Sequence, residues 1–297
     1  MPPGSPRASA AIAIVRNPQS GSAADREALT HALHDHGVVA DILDTPEAGF
    51  DRWIDDVASR YDVVAAAGGD GTVSSVAAGV ARAGKILGVI PSGTLNHFAR
   101  DAGIPLELDQ AIALLRDGRP RDVDFGTVNG QFFLNNVSIG NYPRMVRKRD
   151  AIEEGGRSKR VAGVIAVAQT WWNLRNVTAS ITADDQRLVR QSPLILIGNG
   201  SYVLSGFALG KREKISDHRL SLYVAPRTGR LGVLSLPMRA LVGTLDRYEQ
   251  FETFCAKQII IALRHRRVLT GIDGEVRELE SPLKFAIKSG ALKVMLP

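Results

Sequence analysis

The pattern of apolar and polar positions changes character near residue 124. Up to that point short apolar runs alternate with segments of helical composition. Ala11–Val15 is apolar, and Asn17-Pro18-Gln19-Ser20-Gly21 is a turn by its chemistry. Ala23–His36 reads as a helix that stops at Gly37. A strand over Val38–Leu43 follows, then a helix over Pro46–Ala58 with Trp53, Ile54 and Val57 on its buried side. Asp62–Ala67 is apolar without alternation, as expected of a central parallel strand covered on both faces. It runs into Gly68-Gly69-Asp70-Gly71-Thr72, and Thr72 opens a helix that ends at Gly84. The strand Lys85–Ile90 leads into Pro91-Ser92-Gly93-Thr94. Helices over Leu95–Ala102 and Leu106–Arg116, the second closed by Gly118, complete the segment.

This alternation predicts a parallel sheet with helices on both faces. In such sheets ligands bind beyond the carboxyl ends of the strands. The turns Asn17–Gly21, Gly68–Thr72 and Pro91–Asn96 each follow a strand, so they can converge on one crevice. Glycines in such a loop let backbone N–H groups approach a ligand, and a helix N-terminus behind it favours an anion. The reading is a phosphate cradle, against the alternative of a tight strand-to-helix turn with no ligand. No GxxxxGK[ST] occurs, and the nearest GxGxxG, starting at Gly69, has Ser74 in place of its third glycine. Asp70 inside the loop suits a phosphate site in which a metal or a lysine stands between acid and phosphate.

Beyond residue 121 the pattern is strand-rich. Val123–Val128, Gln131–Ser138, Val177–Ala183, Leu194–Asn199, Leu220–Val224, Gln258–Leu263 and Val268–Ile272 read as strands, and only two helical stretches interrupt them, near Lys159–Leu174 and Leu231–Asp246. The expected division is a lead over residues 1–10, a first domain over 11–124 and a second over 125–297. The lead carries Pro, Gly and Ser without an apolar core, and reads as disordered and not as a signal peptide.

With 297 residues the chain can hold two domains. It has no run of about 18 apolar residues, so no spanning helix is expected. The single cysteine, Cys255, excludes an internal disulfide, suits a reducing compartment, and is expected in the core, and with no targeting signal read the expected location is cytoplasmic. A net charge of +6 favours anionic partners without choosing among nucleotide, nucleic acid and acidic lipid. No zinc-finger spacing or RNA-binding signature is present. Arg144, Arg147, Lys148 and Arg149, with Arg157, Lys159 and Arg160, precede an apolar stretch tipped by Trp171 and Trp172. That arrangement suits a peripheral contact with anionic lipid, against the alternative of a helix packed on the second domain beside a solvated loop.

Six segments in order resemble the diacylglycerol kinase catalytic family, in particular its soluble bacterial lipid-kinase branch. That family is related to the sphingosine kinases and more distantly to the NAD kinases. The segments are Asn17–Gly21, Gly68–Thr72, Pro91–Arg100, Phe132–Gly140, Ile197–Gly200 and Ile272–Glu275. The resemblance implies an α/β nucleotide-binding domain, a following β-sandwich-like domain, and an active site in the cleft between them. It implies ATP as donor, Mg²⁺, and a lipid acceptor at the membrane surface. By motif match Asn17, Thr45, Gly68, Gly69, Asp70, Gly71, Thr72, Thr94 and Asn96 would form the nucleotide site. Asp273 and Glu275 match the family's catalytic acids, with Glu275 as general base, and Asp70 is expected to serve catalysis as well as the nucleotide. Read without the family, Asp273-Gly274-Glu275 is equally a hairpin turn. The resemblance also implies a structural Mg²⁺ held by Asp217 and the backbone carbonyls of Lys214 and Arg219. Here the family's glycine after that aspartate is replaced by His218. The reading that follows is an ATP- and Mg²⁺-dependent kinase acting on a hydroxyl of diacylglycerol, a sphingoid base or phosphatidylglycerol. A soluble-substrate kinase related to the NAD kinases, or a non-catalytic nucleotide- or lipid-binding regulator, are the alternatives.

Overall fold

The computed structural model describes residues 12–19, 24–154, 175–202, 215–226 and 252–297. The expected lead over 1–10, the helices near 159–174 and 231–246, and Lys214 lie outside the described residues. The chain divides into two compact units. One comprises residues up to Val123 together with Gly290–Pro297, the other Asp124–Ser289. The sequence pattern assigned everything beyond residue 124 to one domain. The chain's last residues instead return to the first unit, where Lys293 and Val294 pair in parallel with Ile86 and Leu87.

In the first unit β1 (Ile12–Arg16), β2 (Ala40–Asp44), β3 (Val63–Gly68) and β4 (Ile86–Pro91) form parallel pairs in the order β2-β1-β3-β4. Every residue of β3 is buried, which is why its sequence shows no alternation. Helices α1 (Arg26–Asp35) and α5 (Leu108–Asp117) cover one face, where Leu29, Leu33, Ile112 and Leu115 pack on Ile14, Ala65 and Ile90. Helix α2 (Phe50–Arg60) packs with α3 (Asp70–Ala83), and α3 with β3 and β4. Ile54 of α2 sits so close to Gly79 of α3 that a Cβ there would lie 2.8 Å from it. The short α4 (His97–Asp101) follows the second glycine-bearing loop.

The second unit is built from antiparallel strands. One sheet is six-stranded in the order β12-β11-β10-β7-β14-β15, using Glu252–Ala256, Leu220–Val224, Leu194–Asn199, Asn136–Gly140, Arg267–Ile272 and Glu275–Glu280 in that order. In the other, β13 (Gln258–Leu263) lies between β8 (Val177–Ala183) and β16 (Leu283–Leu296), with β9 (Gln186–Ser192) beyond β8. The strands β5 (Arg119–Val128) and β6 (Gln131–Phe133) form a hairpin. One apolar core joins the two sheets, with Val137, Ile197, Leu222 and Ile272 from one and Ile181, Ile261 and Phe285 from the other.

Two further features depart from the sequence pattern. Asn141–Glu154 forms a helix, α6, packed on β7, β14 and β15, where only a basic cluster had been read. Cys255 is exposed and not in the core. It lies in β12, at the edge of its sheet, whose alternation turns Phe254 and Ala256 inward and Cys255 outward. No described helix is long and apolar enough to cross a membrane.

Candidate active site

The order β2-β1-β3-β4 contains a topological switch. The chain leaves β1 toward β2 on one side, and β3 leads to β4 on the other. Loops leaving the carboxyl ends of β1 and β3 therefore bound a crevice. The register aligns Asp44, Arg16, Ala67 and Ile90 across the four strands. Thr45, Asn17, Gly68 and Pro91 consequently leave the sheet side by side, at about 4.8 Å per strand. The Thr45 N–H donates to the Arg16 carbonyl at 2.9 Å, and the Ser92 N–H to the Gly68 carbonyl at 3.0 Å. The three turns thus meet at one end of the sheet.

Local chemistry shapes each turn. Asn17 accepts a bond from the Gln19 N–H at 3.0 Å and so folds its own turn. Asp44 receives Nε of Arg16 at 2.8 Å and a second bond from the same guanidinium at 3.1 Å, and Arg26 adds a third at 3.0 Å. The Arg16 hydrogen bond is the main reason the Asp44 carboxyl sits below its ordinary pKa, and the charges of Arg16 and Arg26 add to it. A Cβ at Gly68 would lie 2.6 Å from the Thr72 side chain, and one at Gly93 would lie 2.6 Å from the Gly69 Cα. Glycine at both positions lets the two loops touch. At Gly71, by contrast, an added Cβ meets nothing within 4 Å. Helix α3 begins behind Gly69 with no side-chain cap, so its first N–H groups remain available to an anion.

Not every residue expected at the nucleotide is free to reach one. Asn96 closes its own loop, accepting from Gly93 N–H at 2.9 Å and donating to the Gly93 carbonyl at 2.7 Å. Asp70 accepts from the Phe98 N–H through Oδ1 at 3.3 Å, which ties α4 to the glycine loop. Its Oδ2 has no partner among the described residues, which leaves one oxygen for a cation. Thr94 is exposed.

In the second unit Asp273-Gly274 forms a tight turn with Ile272 paired to Glu275, at φ values of +47° and +91°. Positive φ at both central positions is the type I′ hairpin geometry that Asp-Gly favours. The Asp273 carboxylate is nevertheless not a plain turn group. It accepts from the Leu134, Asn135 and Asn136 N–H groups at 2.7, 2.8 and 3.0 Å. The same segment is held from the other side by Asn199, which donates to the Leu134 and Asp124 carbonyls at 2.8 Å each. Asp273 and Asn199 therefore position the 134–136 backbone. Glu275 is exposed and pairs with Arg277 at 3.0 Å through one carboxylate oxygen.

Protein groups pin the described part of the segment around Asp217 at several points. Asp217 Oδ2 accepts from Ser201 Oγ at 2.8 Å, and the Arg219 carbonyl accepts from Gly200 N–H at 3.1 Å. His218 takes a left-handed φ of +54°. Asp124, only 1% exposed, holds it there through the His218 N–H at 2.6 Å, and the His218 Nδ1 lies 3.1 Å from the same carboxylate. Histidine is among the residues that tolerate this region. Among the described residues no group of three or more His, Cys, Asp or Glu side chains could hold a metal ion. Lys214, the third expected ligand, lies outside the described residues, and Asp217 Oδ1 has no partner among the described residues. Sequence reasoning missed Asp124, Ser201 and the role of Asn199, because their partners lie far along the chain.

Comparisons with known proteins agree with this architecture. Residues 11–128 match the family model described as the diacylglycerol kinase catalytic domain. Over 259 residues the chain is 32% identical to a protein of Pseudomonas aeruginosa PAO1 named "Probable lipid kinase YegS-like", covering 81% of this chain and 78% of that one. A protein of the same name from Stenotrophomonas maltophilia is 29% identical over 245 residues, 75% of this chain and 78% of that one. A solved structure named as a putative diacylglycerol kinase from Bacillus anthracis superposes with a TM-score of 0.73 at 26% identity, covering 96% of this chain and 97% of that one. A second from the same organism gives a TM-score of 0.75 at 25% identity, over 96% of this chain and 95% of that one.

Proposed function

The chain belongs to the diacylglycerol kinase catalytic-domain family and is a lipid kinase, and on that premise we propose that it moves the γ-phosphoryl group of ATP to a hydroxyl of diacylglycerol or a related lipid, with Mg²⁺. The observation that carries the reading is the uncapped N-terminus of α3 behind Gly68–Gly71, at the switch point of a parallel sheet. Backbone N–H groups of the first turn of α3 would take the phosphates. Asn17, Thr45, Thr72 and Thr94 would bound the nucleotide. Asp70 Oδ2 would be a ligand of the Mg²⁺ that accompanies ATP, and that cation would spread charge off the transferring phosphoryl group. No step is assigned to a cation at Asp217.

Transfer to an alcohol also needs a group that accepts the hydroxyl proton. Glu275 is the proposed base, because it keeps a carboxylate oxygen with no protein partner among the described residues. Asp273 is a positioning residue, its carboxylate committed to three N–H groups. A lipid acceptor requires the enzyme to visit a membrane surface, and the basic residues of α6 support peripheral contact with anionic lipid on the cytoplasmic side.

The test uses purified protein, Mg²⁺ and γ-labelled ATP. The acceptors are mixed micelles of diacylglycerol, monoacylglycerol, sphingosine, ceramide or phosphatidylglycerol, with NAD as a soluble acceptor. Label is expected in one lipid and not with Glu275→Gln. Asp70→Ala is expected to lose ATP binding as well as turnover. Label in NAD alone would transfer the reading to a soluble-substrate kinase. ATP binding without transfer to anything would leave a regulator.

A further inference from the structure

The second unit carries a concentration of positive charge that phosphoryl transfer at Glu275 does not use. Along α6, Arg144, Arg147 and Lys148 fall at helical spacing, so they share one face. That face looks onto an open cavity of about 830 Å³, whose opposite wall carries Arg175, His265 and Arg267. An adjoining recess of about 290 Å³ shares Arg144, Arg175, His265 and Arg267 and adds Arg264. Among the described residues the one acid in the lining is Glu278, paired with Arg267 at 3.9 Å. Among the described residues Arg144, Arg147, Lys148 and Arg175 pair with no carboxylate.

Sheet alternation separates this cavity from Glu275. Leu269 faces Glu278 across the β14–β15 ladder, and Leu269 and Glu278 both line the cavity. Val268, Ile272 and Leu279, on the alternate positions, enter the core. Glu275 is paired with Ile272 and so shares the core-side face, whereas the cavity opens on the other. Unneutralised guanidinium groups on two walls of a concave site favour a multiply acceptor-bearing, planar or tetrahedral anion, which each can grip through two N–H groups.

We propose that this cavity is an anion site that seats a phosphate group borne on a larger molecule, either the headgroup of an anionic phospholipid or a soluble phosphate ester. The site is lined by residues of the second unit and does not require the lipid-kinase reading. In the lipid case it orients the second unit against a charged bilayer. In the soluble case it is an effector site.

The experiment uses the full chain, the double variant Arg144→Ala/Arg147→Ala, the single variant Arg267→Ala, and Arg187→Ala as an exposed basic control outside the cavity. Sedimentation with vesicles of phosphatidylcholine alone, or of phosphatidylcholine and phosphatidylglycerol in equal parts, forms one arm. Calorimetric titration with glycerol 3-phosphate and with inorganic phosphate forms the other. Loss of about fivefold in affinity for each cation removed is expected in one arm, with the control unchanged. Loss in the vesicle arm identifies a lipid headgroup, and loss in the titration arm a soluble ester. Arg267→Ala, on the opposite wall, must weaken the same arm, so the result does not rest on α6 remaining folded. The proposal is overturned if the wild type binds neither probe, if the cavity variants match wild type, or if the control loses as much as they do. ATP binding measured alongside separates this outcome from failure of the nucleotide site, since it should be equal in all four proteins.

Discussion

Replacing Asp273 should unfasten the 134–136 segment before it does anything to chemistry. Its carboxylate accepts three backbone N–H groups at 2.7, 2.8 and 3.0 Å. Hydrogen bonds to a charged group contribute roughly 1.5–3 kcal/mol each, and three that share one carboxylate are not additive. Asp273→Ala should therefore cost about 3–5 kcal/mol, a large part of the 5–15 kcal/mol typical of a folded domain. Asp273→Asn keeps one acceptor oxygen and turns an amide toward the remaining donor, so about 2 kcal/mol is expected. The assay pairs urea unfolding with hydrogen exchange of the Leu134, Asn135 and Asn136 amides. Both variants should lower the urea midpoint and accelerate exchange at those amides, Asp273→Ala more than Asp273→Asn. Glu275→Gln supplies the contrast. Its carboxylate is exposed and pairs only with Arg277 among the described residues, so its loss should change stability by less than about 1 kcal/mol while turnover disappears. Wild-type stability and wild-type exchange in Asp273→Asn, with turnover lost, would falsify the positioning role and make Asp273 a direct participant.

The glycine loop gives a paired prediction. Gly68→Ala drives a Cβ to 2.6 Å from the Thr72 side chain and should cost about 1–3 kcal/mol by thermal unfolding. Gly71→Ala meets nothing within 4 Å inside a helix and should stabilise by about 0.5–1 kcal/mol, yet weaken ATP binding because the new methyl group occupies the proposed cradle. Equal ATP affinity in Gly71→Ala and wild type would remove that loop from the nucleotide site. For Asp44, the folded-state pKa is lowered, chiefly by the Arg16 hydrogen bond, so its contribution is present above the unfolded value of about 3.9 and is lost as pH falls through the lower folded value. Wild type should exceed Asp44→Asn in stability at neutral pH, and the gap should close below about pH 4. A gap that widened in acid would contradict the ion-pair account. Cys255, exposed on an edge strand, should react stoichiometrically with a thiol reagent in the native protein. Labelling only after denaturation would return it to the core.

The glycine-loop end of the first unit's sheet was legible because its signals are local. An unbroken apolar strand, a glycine run and a helix are contiguous at Val63–Ala83, and parallel topology then brings Asn17, Gly68 and Pro91 to one end of the sheet. The second unit yielded less because its contacts are long-range. Nothing near Asp273 announces that its partners are Leu134–Asn136, and nothing near His218 points to Asp124. Helix α6 was missed since charged residues dominate Asn141–Glu154, and Val146 is one of the few side chains it buries. The return of Gly290–Pro297 to the first unit has no local signal either, because Lys293 and Val294 find their register only on β4.

Hydrogen-bond satisfaction separates three acids that build the second unit from Glu275, the proposed base. Asp124 is committed to His218, Asp217 holds Ser201 through one oxygen, and Asp273 is spent on three backbone donors. The bonds to Asp124 and Asp273 fix backbone N–H groups, and removing either carboxylate strands its donors. Glu275 differs in both respects, being exposed and paired with an arginine through one oxygen only. An exposed ion pair is weak and can be broken by an arriving hydroxyl, whereas a carboxylate holding three N–H groups cannot turn to a substrate without opening its own loop. The type I′ geometry of Asp273-Gly274 makes the division possible within one turn. It commits the aspartate to the 134–136 backbone and leaves the next acid on the strand with an unpartnered oxygen. An acid two residues from its own anchor is held in place without being consumed by the holding, and that is the physical reason to propose Glu275 rather than Asp273 for proton abstraction.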